Sequence, residues 1–320
     1  MHALPAAGPT PRLGAAAAWP GRLTLTPIPA RRFLPGDRIC PGLLACDPLG
    51  VSGRTERWLA WSAPLWSRVV VKLPTEEHMD DLRVVRRLRR EGRALRRLRH
   101  PAIPRLLDDA HDHPVPHLVL EHFPGATLDQ VLTEGLLKPG EVLRLGMRLA
   151  SCLHHVHDRG LVHLGIEPAC VAVRGDQAAL LDFDGMRPAG GSLPPGRPLA
   201  AAYQAPERCL REPPDPRMDL FSLGAVMYEA ATGRPPFQAA GAPGGEHPQL
   251  LETAPRVRTL RPRLPLELDA AIHALLEPDP RHRPRSALEA LHLLASALPF
   301  GELPAWPAFA DELLERERVR

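Results

Sequence analysis

Between Val84 and Leu98 the apolar residues Val84, Leu88, Leu95 and Leu98 recur at the alternating three-and-four spacing of one helix face, and the position that completes the stripe is Glu91. A carboxylate therefore points at the core. Burying a lone charge costs several kcal/mol, so Glu91 requires a cationic partner brought in by another element. Lys72 is the candidate, since it ends Arg68-Val69-Val70-Val71-Lys72, a β run whose lysine would project from a strand beside the helix. On the pattern alone a blander alternative stays open, an edge lysine capping its strand and a glutamate that snorkels to solvent.

With 320 residues the chain has room for two modest domains or one large one. Forty Lys and Arg against 37 Asp and Glu leave a formal charge of +3, so bulk charge points to neither nucleic acid nor an anionic membrane as partner. Hydrophobic content of 44% and charged content of 24% fit a soluble globular protein, and 39 Pro make it loop-rich. No apolar run approaches the roughly 18 to 20 residues that cross a bilayer, and Ala15 to Trp19, closed by Pro20, is too short for a signal-peptide core. The expectation is a cytoplasmic protein with no membrane partner. Cys40, Cys46, Cys152, Cys170 and Cys209 are odd in number and lack a C-x-x-C pair, which suggests neither a disulfide framework nor a zinc site.

Residues 1–35 are Ala, Pro and Gly with scattered Arg, a composition read as a mobile arm. Residues 36–122 hold short apolar runs, notably Trp58 to Trp61 and Arg68 to Leu73, with one Arg-rich helical stretch, and predict a small, mostly β lobe. Over 123–300 the pattern changes to long 3.6-period segments, Pro139 to Asp158, Met218 to Thr232, Leu266 to Leu276 and Arg285 to Leu298, the first two followed by Gly160 and Gly233. These predict a larger helical lobe, and residues 301–320 a C-terminal tail. Val171 to Leu181 reads as two β runs about the turn Gly175-Asp176, a hairpin among the helices.

Seven segments then follow in order: Val69 to Lys72, Glu91, Leu118-Val119-Leu120-Glu121, Leu181-Asp182-Phe183-Asp184, Ala205-Pro206-Glu207, Asp219 to Gly224, and Asp279 to Pro284. Their order resembles the protein kinase superfamily, bacterial Ser/Thr type, over roughly Arg38 to Leu298. They are similar in turn to the V-A-I-K strand, the helix C glutamate, the hinge strand with Leu120 as gatekeeper, the D-F-G segment with Asp for its Gly, the A-P-E, the start of helix F and the late Arg motif. The implied fold is α+β and bilobal, a small β-rich N-lobe with one helix C above a larger, mainly helical C-lobe. The implied cofactors are ATP and Mg²⁺, with Lys72, oriented by Glu91, on the phosphates, Asp182 on the ion, and Gly50, Leu120 and Glu121 around the nucleotide. Structural roles would fall to His163, to Phe183, to a Glu207–Arg283 salt bridge and to Asp219 as anchor of the catalytic-loop backbone.

The resemblance breaks down where the chemistry lies. Against H-R-D-x-K-x-x-N the chain reads His163-Leu164-Gly165-Ile166-Glu167-Pro168-Ala169-Cys170. Gly165 has no side chain to accept the substrate hydroxyl's proton, and a missing general base costs about 10² to 10⁴ in rate. Cys170 puts soft sulfur where an amide oxygen would meet the hard ion, and Glu167 puts a like charge where a lysine would neutralise the transferring phosphate. Ala200 stands for the threonine that binds the catalytic Asp and Lys, so all three members of that cluster are lost together and no orphaned polar partner remains. Leu164 removes the arginine that reads activation-loop phosphates, and from Asp182 to Glu207 only Ser192 and Tyr203 carry hydroxyls, which disfavours switching by phosphorylation. In Leu49 to Glu56 only Gly50 keeps the G-x-G-x-x-G pattern. Ser52 and Thr55 fill its other two places and hinder close approach of a phosphate.

The resulting expectation is a pseudokinase, a regulatory or scaffolding module with weak or no phosphotransfer. It would hold ATP through Lys72, Glu91 and Asp182 and present a surface to a protein partner. One alternative is an active Ser/Thr protein kinase with a rearranged catalytic loop, in which Asp184 or Glu167 compensates; another is a fold used with no nucleotide. The arginines 83, 86, 87, 89, 90, 93, 96, 97 and 99 are read as a solvated helix face, because no aromatic residues interleave to stack on bases. His111, His113 and His117 lack a rigid element to fix them on a metal, and His154, His155 and His157 suit the end of a helix.

Overall fold

The computed structural model describes residues 32–193, 201–237 and 247–297. Ala200, the tail at 301–320 and all but the end of the expected arm lie outside them. Chain contacts separate Met1–Arg32 from a unit that begins at Phe33, and the fold is that of the second unit.

Six antiparallel strands build the N-terminal lobe: β1 (Arg38–Cys40), β2 (Leu43–Ser52), β3 (Thr55–Ser62), β4 (Ser67–Pro74), β5 (Leu106–Ala110) and β6 (His117–Glu121). Their spatial order is β1-β2-β3-β4-β6-β5. Two-residue alternation turns Val69, Val71 and Leu73 of β4 toward Trp58, Ala60 and Val119 in a small core, and sends Lys72 to the other face. The expected Arg-rich helix is α1 (Leu82–Leu95), begun by Asp81, whose carboxylate accepts the Arg83 N–H at 2.8 Å. Val84, Leu88, Glu91 and Leu95 form its buried stripe.

Below the sheet, β7 (Ala126–Thr127) leads into α2 (Leu128–Glu134), α3 (Pro139–His157), β8 (Leu161–Val162), the hairpin of β9 (Val171–Arg174) and β10 (Gln177–Leu180), and β11 (Arg187–Pro188). The helices α4 (Pro206–Cys209), α5 (Pro216–Thr232), α6 (Val257–Leu260), α7 (Leu266–Leu275) and α8 (Ala287–Ser296) complete the lobe. This is the bilobal protein kinase-like arrangement. The hairpin forms about Gly175, whose φ of 59° suits its turn. Helix α5 starts two residues before the expected Met218 because Pro216 takes its first turn and Asp215 accepts the Arg217 N–H at 2.8 Å. Helix α8 starts at Ala287 because Ser286 takes the cap, accepting the Glu289 N–H at 3.1 Å.

Helix α5 is buried on nearly every side, as befits the axis of a lobe. Helix α7 approaches it at Gly224, where a Cβ would stand 2.8 Å from the Leu275 Cβ and 3.1 Å from Leu276. Behind the two lobes, the guanidinium of Arg159 donates to the Arg97 carbonyl at 2.9 Å and that of Arg97 to the Arg159 carbonyl at 3.4 Å, while His155 accepts the Arg99 N–H at 3.0 Å. Among the described residues no helix is long and apolar enough to cross a membrane.

Gly224→Ala is expected to lower unfolding stability by about 1–3 kcal/mol, because the opposing atom is a Cβ and the backbones must part to admit a methyl. Urea unfolding measures this, and a loss within experimental error would show that α5 and α7 separate freely.

Candidate functional site

Lys72 does not end its strand, since the pairing with β3 continues through Leu73 and Pro74. It lies within β4 on the face that α1 covers, and its ammonium lies 2.8 Å from Glu91 Oε2, 3.0 Å from Glu91 Oε1 and 2.5 Å from Asp182 Oδ1. The lysine and glutamate side chains are each 1% exposed, so the snorkelling alternative is excluded. Burial acts to lower the lysine's pKa, yet the charges of Asp182, Glu91 and Asp184 outweigh it and leave the ammonium more strongly protonated than an ordinary lysine. Burial alone would raise the Asp182 carboxyl. Lys72 and Arg57, with hydrogen bonds from Lys72 and Ser52, instead hold it well below the usual carboxylate range. Glu91 goes the other way, because burial raises it by more than Lys72 recovers and Asp184 and Asp182 add to the rise.

The remaining Asp182 oxygen, Oδ2, accepts the Ser52 hydroxyl at 2.9 Å. Ser52 sits at the end of β2, where Ser52 pairs with Thr55 around the Gly53-Arg54 turn, and the Thr55 hydroxyl donates to the Ser52 carbonyl at 3.1 Å. Gly50, by contrast, has φ 122° and open space where a Cβ would stand. Of the three places in the phosphate-covering pattern, the one holding Ser52 reaches the site through a hydroxyl.

The loop from His163 to Cys170 is carried on Asp219, fully buried in α5. Its Oδ2 accepts the His163 N–H at 2.7 Å and meets His157 Nε2 at 2.9 Å, and its Oδ1 accepts the Leu164 N–H at 2.8 Å. His157 therefore serves this carboxylate beyond its favourable place at a helix end. The loop backbone is strained: Leu164 has φ 59°, and Asp182 opposite has φ 62°. His163 is kept neutral by burial, packs edge-on to Phe183 at 4.7 Å between centroids, and accepts the Gly165 N–H on Nδ1 at 3.2 Å. A Cβ at Gly165 would stand 3.3 Å from that ring, a close contact that the imidazole would have to ease by a few tenths of an ångström. Glu167 and Cys170 are buried nearby and line a cleft with Gly165, Asp182 and Asp184.

The magnesium implied by the resemblance can be tested against these donors. Both oxygens of Asp182 are engaged by Lys72 and Ser52, and Cys170 offers sulfur, a poor match to a hard ion. The donor set does not fit Mg²⁺. His111 meets Asp109 at 2.6 Å and Asp112 at 3.2 Å, while His117 meets the Val115 carbonyl at 2.7 Å.

Other expected residues lie farther out. Glu207 and Arg283 form a buried two-pronged pair at 2.6 and 2.9 Å, and Arg283 also donates to the carbonyls of Glu277, Pro278 and Arg217. Leu120 packs against the main core, but Glu121, expected around the nucleotide, reaches outward to Arg105 at 3.1 Å. Two site contacts escape a reading of the sequence. Ser52 is visible there as a lost glycine but not as a ligand of Asp182. Arg87, assigned to the solvated face, is half-buried and meets Asp184 at 3.2 Å. Its position one helical turn before Glu91 was the available signal.

The family model for the protein kinase domain matches residues 65–294. The serine/threonine-protein kinase pkn2 of Myxococcus xanthus is 33% identical over 273 residues, covering 78% of this chain and 32% of that protein. The serine/threonine-protein kinase PknB of Mycobacterium tuberculosis is 29% identical over 252 residues, covering 75% of this chain and 40% of that protein. The chain thus spans about a third to two fifths of the length of these relatives. The crystal structure of the Mycobacterium tuberculosis PknI kinase domain superposes with a TM-score of 0.65 at 23% identity, covering 83% of this chain and 98% of that one, a likeness of fold.

Glu207→Ala is expected to destabilise the protein by about 3–5 kcal/mol, because it leaves the Arg283 guanidinium buried without its carboxylate. Chemical unfolding checks this, and a loss under about 1 kcal/mol would show that the three carbonyls alone satisfy Arg283.

Proposed function

This chain belongs to the protein kinase domain family, and from that premise we propose that it is a pseudokinase, a regulatory or scaffolding module with weak or no phosphotransfer. One observation carries the reading: at Gly165, where the resemblance requires a carboxylate, there is no side chain, and the His163 ring stands 3.3 Å from where a Cβ would begin. The neighbouring groups agree with it. Glu167 brings negative charge to the place of a neutralising lysine, and both oxygens of Asp182 are held by protein donors.

ATP is the nucleotide this site would take, through Lys72, and its binding would owe little to magnesium. A protein partner would meet a surface and not an active centre. The turn between β3 and β4 offers one, with Leu65 and Trp66 51% and 78% exposed and Trp66 edge-on to Trp61 at 5.5 Å. A second reading, a Ser/Thr kinase with a rearranged loop, draws on Glu167 and Asp184 lining the cleft beside Gly165. Asp184 is committed to Arg87 at 3.2 Å, which leaves Glu167 as the base that reading needs.

Purified protein given labelled ATP is expected to transfer no more phosphate to itself or to a generic substrate than Lys72→Met does. Transfer that vanishes in Lys72→Met and in Glu167→Ala would establish the second reading instead. In thermal-shift titrations, magnesium is expected to leave the apparent ATP affinity of the protein nearly unchanged, whereas Ser52→Gly, which frees an oxygen of Asp182, should make it magnesium-dependent by about tenfold. Equal magnesium dependence in both proteins would remove Ser52 from the account.

A further inference from the structure

Asp184 occupies the place of a glycine in the D-F-G pattern, and its side chain is 9% exposed. Its Oδ1 lies 3.2 Å from Arg87 Nη2 and its Oδ2 lies 4.0 Å from the Lys72 ammonium. Its backbone carbonyl accepts from Arg90 and from Arg187, each at 3.5 Å. Arg87, Arg90 and Glu91 stand at i, i+3 and i+4 on α1, so one helix face meets the 182–184 segment through charges of both signs. Glu91 reaches it through Lys72 and Asp182, and Arg87 reaches it directly through Asp184.

Around this carboxylate the positive charge is in excess. Arg187 is drawn down to about 10 by burial and by the neighbouring Arg90 and Arg87, with Asp184 acting against the fall, and Arg90 is lowered by burial and Arg87. Arg187 spends its Nη1 donors on the carbonyls of Gly185 and Met186 at 2.9 and 2.7 Å, while Arg208, farther along, donates to the Leu164 carbonyl and feels the charges of Asp219 and Glu167. Without Asp184, α1 would face guanidinium groups with its own guanidinium groups.

We propose that Asp184 is a positioning residue, a counter-ion built into the chain that draws α1 down through Arg87 and so holds Glu91 on Lys72 without any added anion. This goes beyond the absence of phosphotransfer and holds whether or not nucleotide binds. The closed arrangement is then permanent and needs no phosphorylated group to form.

Amide hydrogen exchange across α1 in the full chain tests it, on Arg87→Gln, Asp184→Asn and the double variant. Each single change is expected to speed exchange of the α1 amides about tenfold while leaving those of α5 unaltered, and the double change to add nothing further. Arg86→Gln, one position along on the exposed side, should match the parent. Arg87→Gln lies at the surface end of the contact and keeps the test open should Asp184→Asn fail to fold. Unchanged α1 exchange in Arg87→Gln, or single effects that add in the double variant, would overturn the proposal.

Discussion

A single buried ammonium organises this molecule. Lys72 is encircled by Glu91, Asp182 and, more distantly, Asp184, all nearly excluded from water. Such an arrangement is tolerable only if each carboxylate reaches the cation, since any one left alone in the interior costs several kcal/mol. That requirement fixes where α1 lies on the sheet and where the 182–184 segment meets it. The sheet supplies the lysine, the helix the glutamate and the lower lobe the aspartates, so one charge cluster sets the relation among three parts of the fold.

The remainder of the site divides by the kind of work each residue does. Groups that satisfy backbone or pair with buried partners are in place: Asp219 under the loop and Glu207 with Arg283. At two places where the resemblance implies side chains acting on substrate and ion, the chain has Gly165, beside the His163 ring, and the buried Cys170. Removing Asp219 would orphan two buried N–H groups and leave His157 without its partner.

Much of this was legible in the amino-acid sequence. Glu91 announced itself by interrupting an apolar stripe, and the valine run ending in Lys72 supplied its partner by the same logic of burial. Helix starts followed capping residues: α5 and α8 begin where Asp215 and Ser286 take the cap, and α1, expected over Val84 to Leu98, begins at Leu82 after Asp81 and ends at Leu95, so that Leu98 is buried beyond the helix. What periodicity does not reveal is which of many surface charges folds inward. Nine arginines decorate the segment from Arg83 to Arg99, and only the place of Arg87 one turn before the buried Glu91 sets it apart from Arg86, a signal too slight to name Asp184 as its partner. Ser52 and Asp182 are 130 residues apart, so their bond depends on how the β2–β3 hairpin leans over the lower lobe, a tertiary fact. The Glu121–Arg105 pair is likewise a contact that the hinge-strand reading does not specify.

The seam between the lobes is fastened on both sides. At the front, Ser52, Lys72 and Arg87 of the upper lobe hold Asp182 and Asp184 of the lower one; at the rear, Arg97 and Arg99 interlock with Arg159 and His155. Hinge motion would have to break polar bonds at opposite ends of the same joint. A molecule that docks across this seam would find its two halves already aligned, and the ordering entropy usually lost when a jaw shuts on its ligand would have been spent during folding.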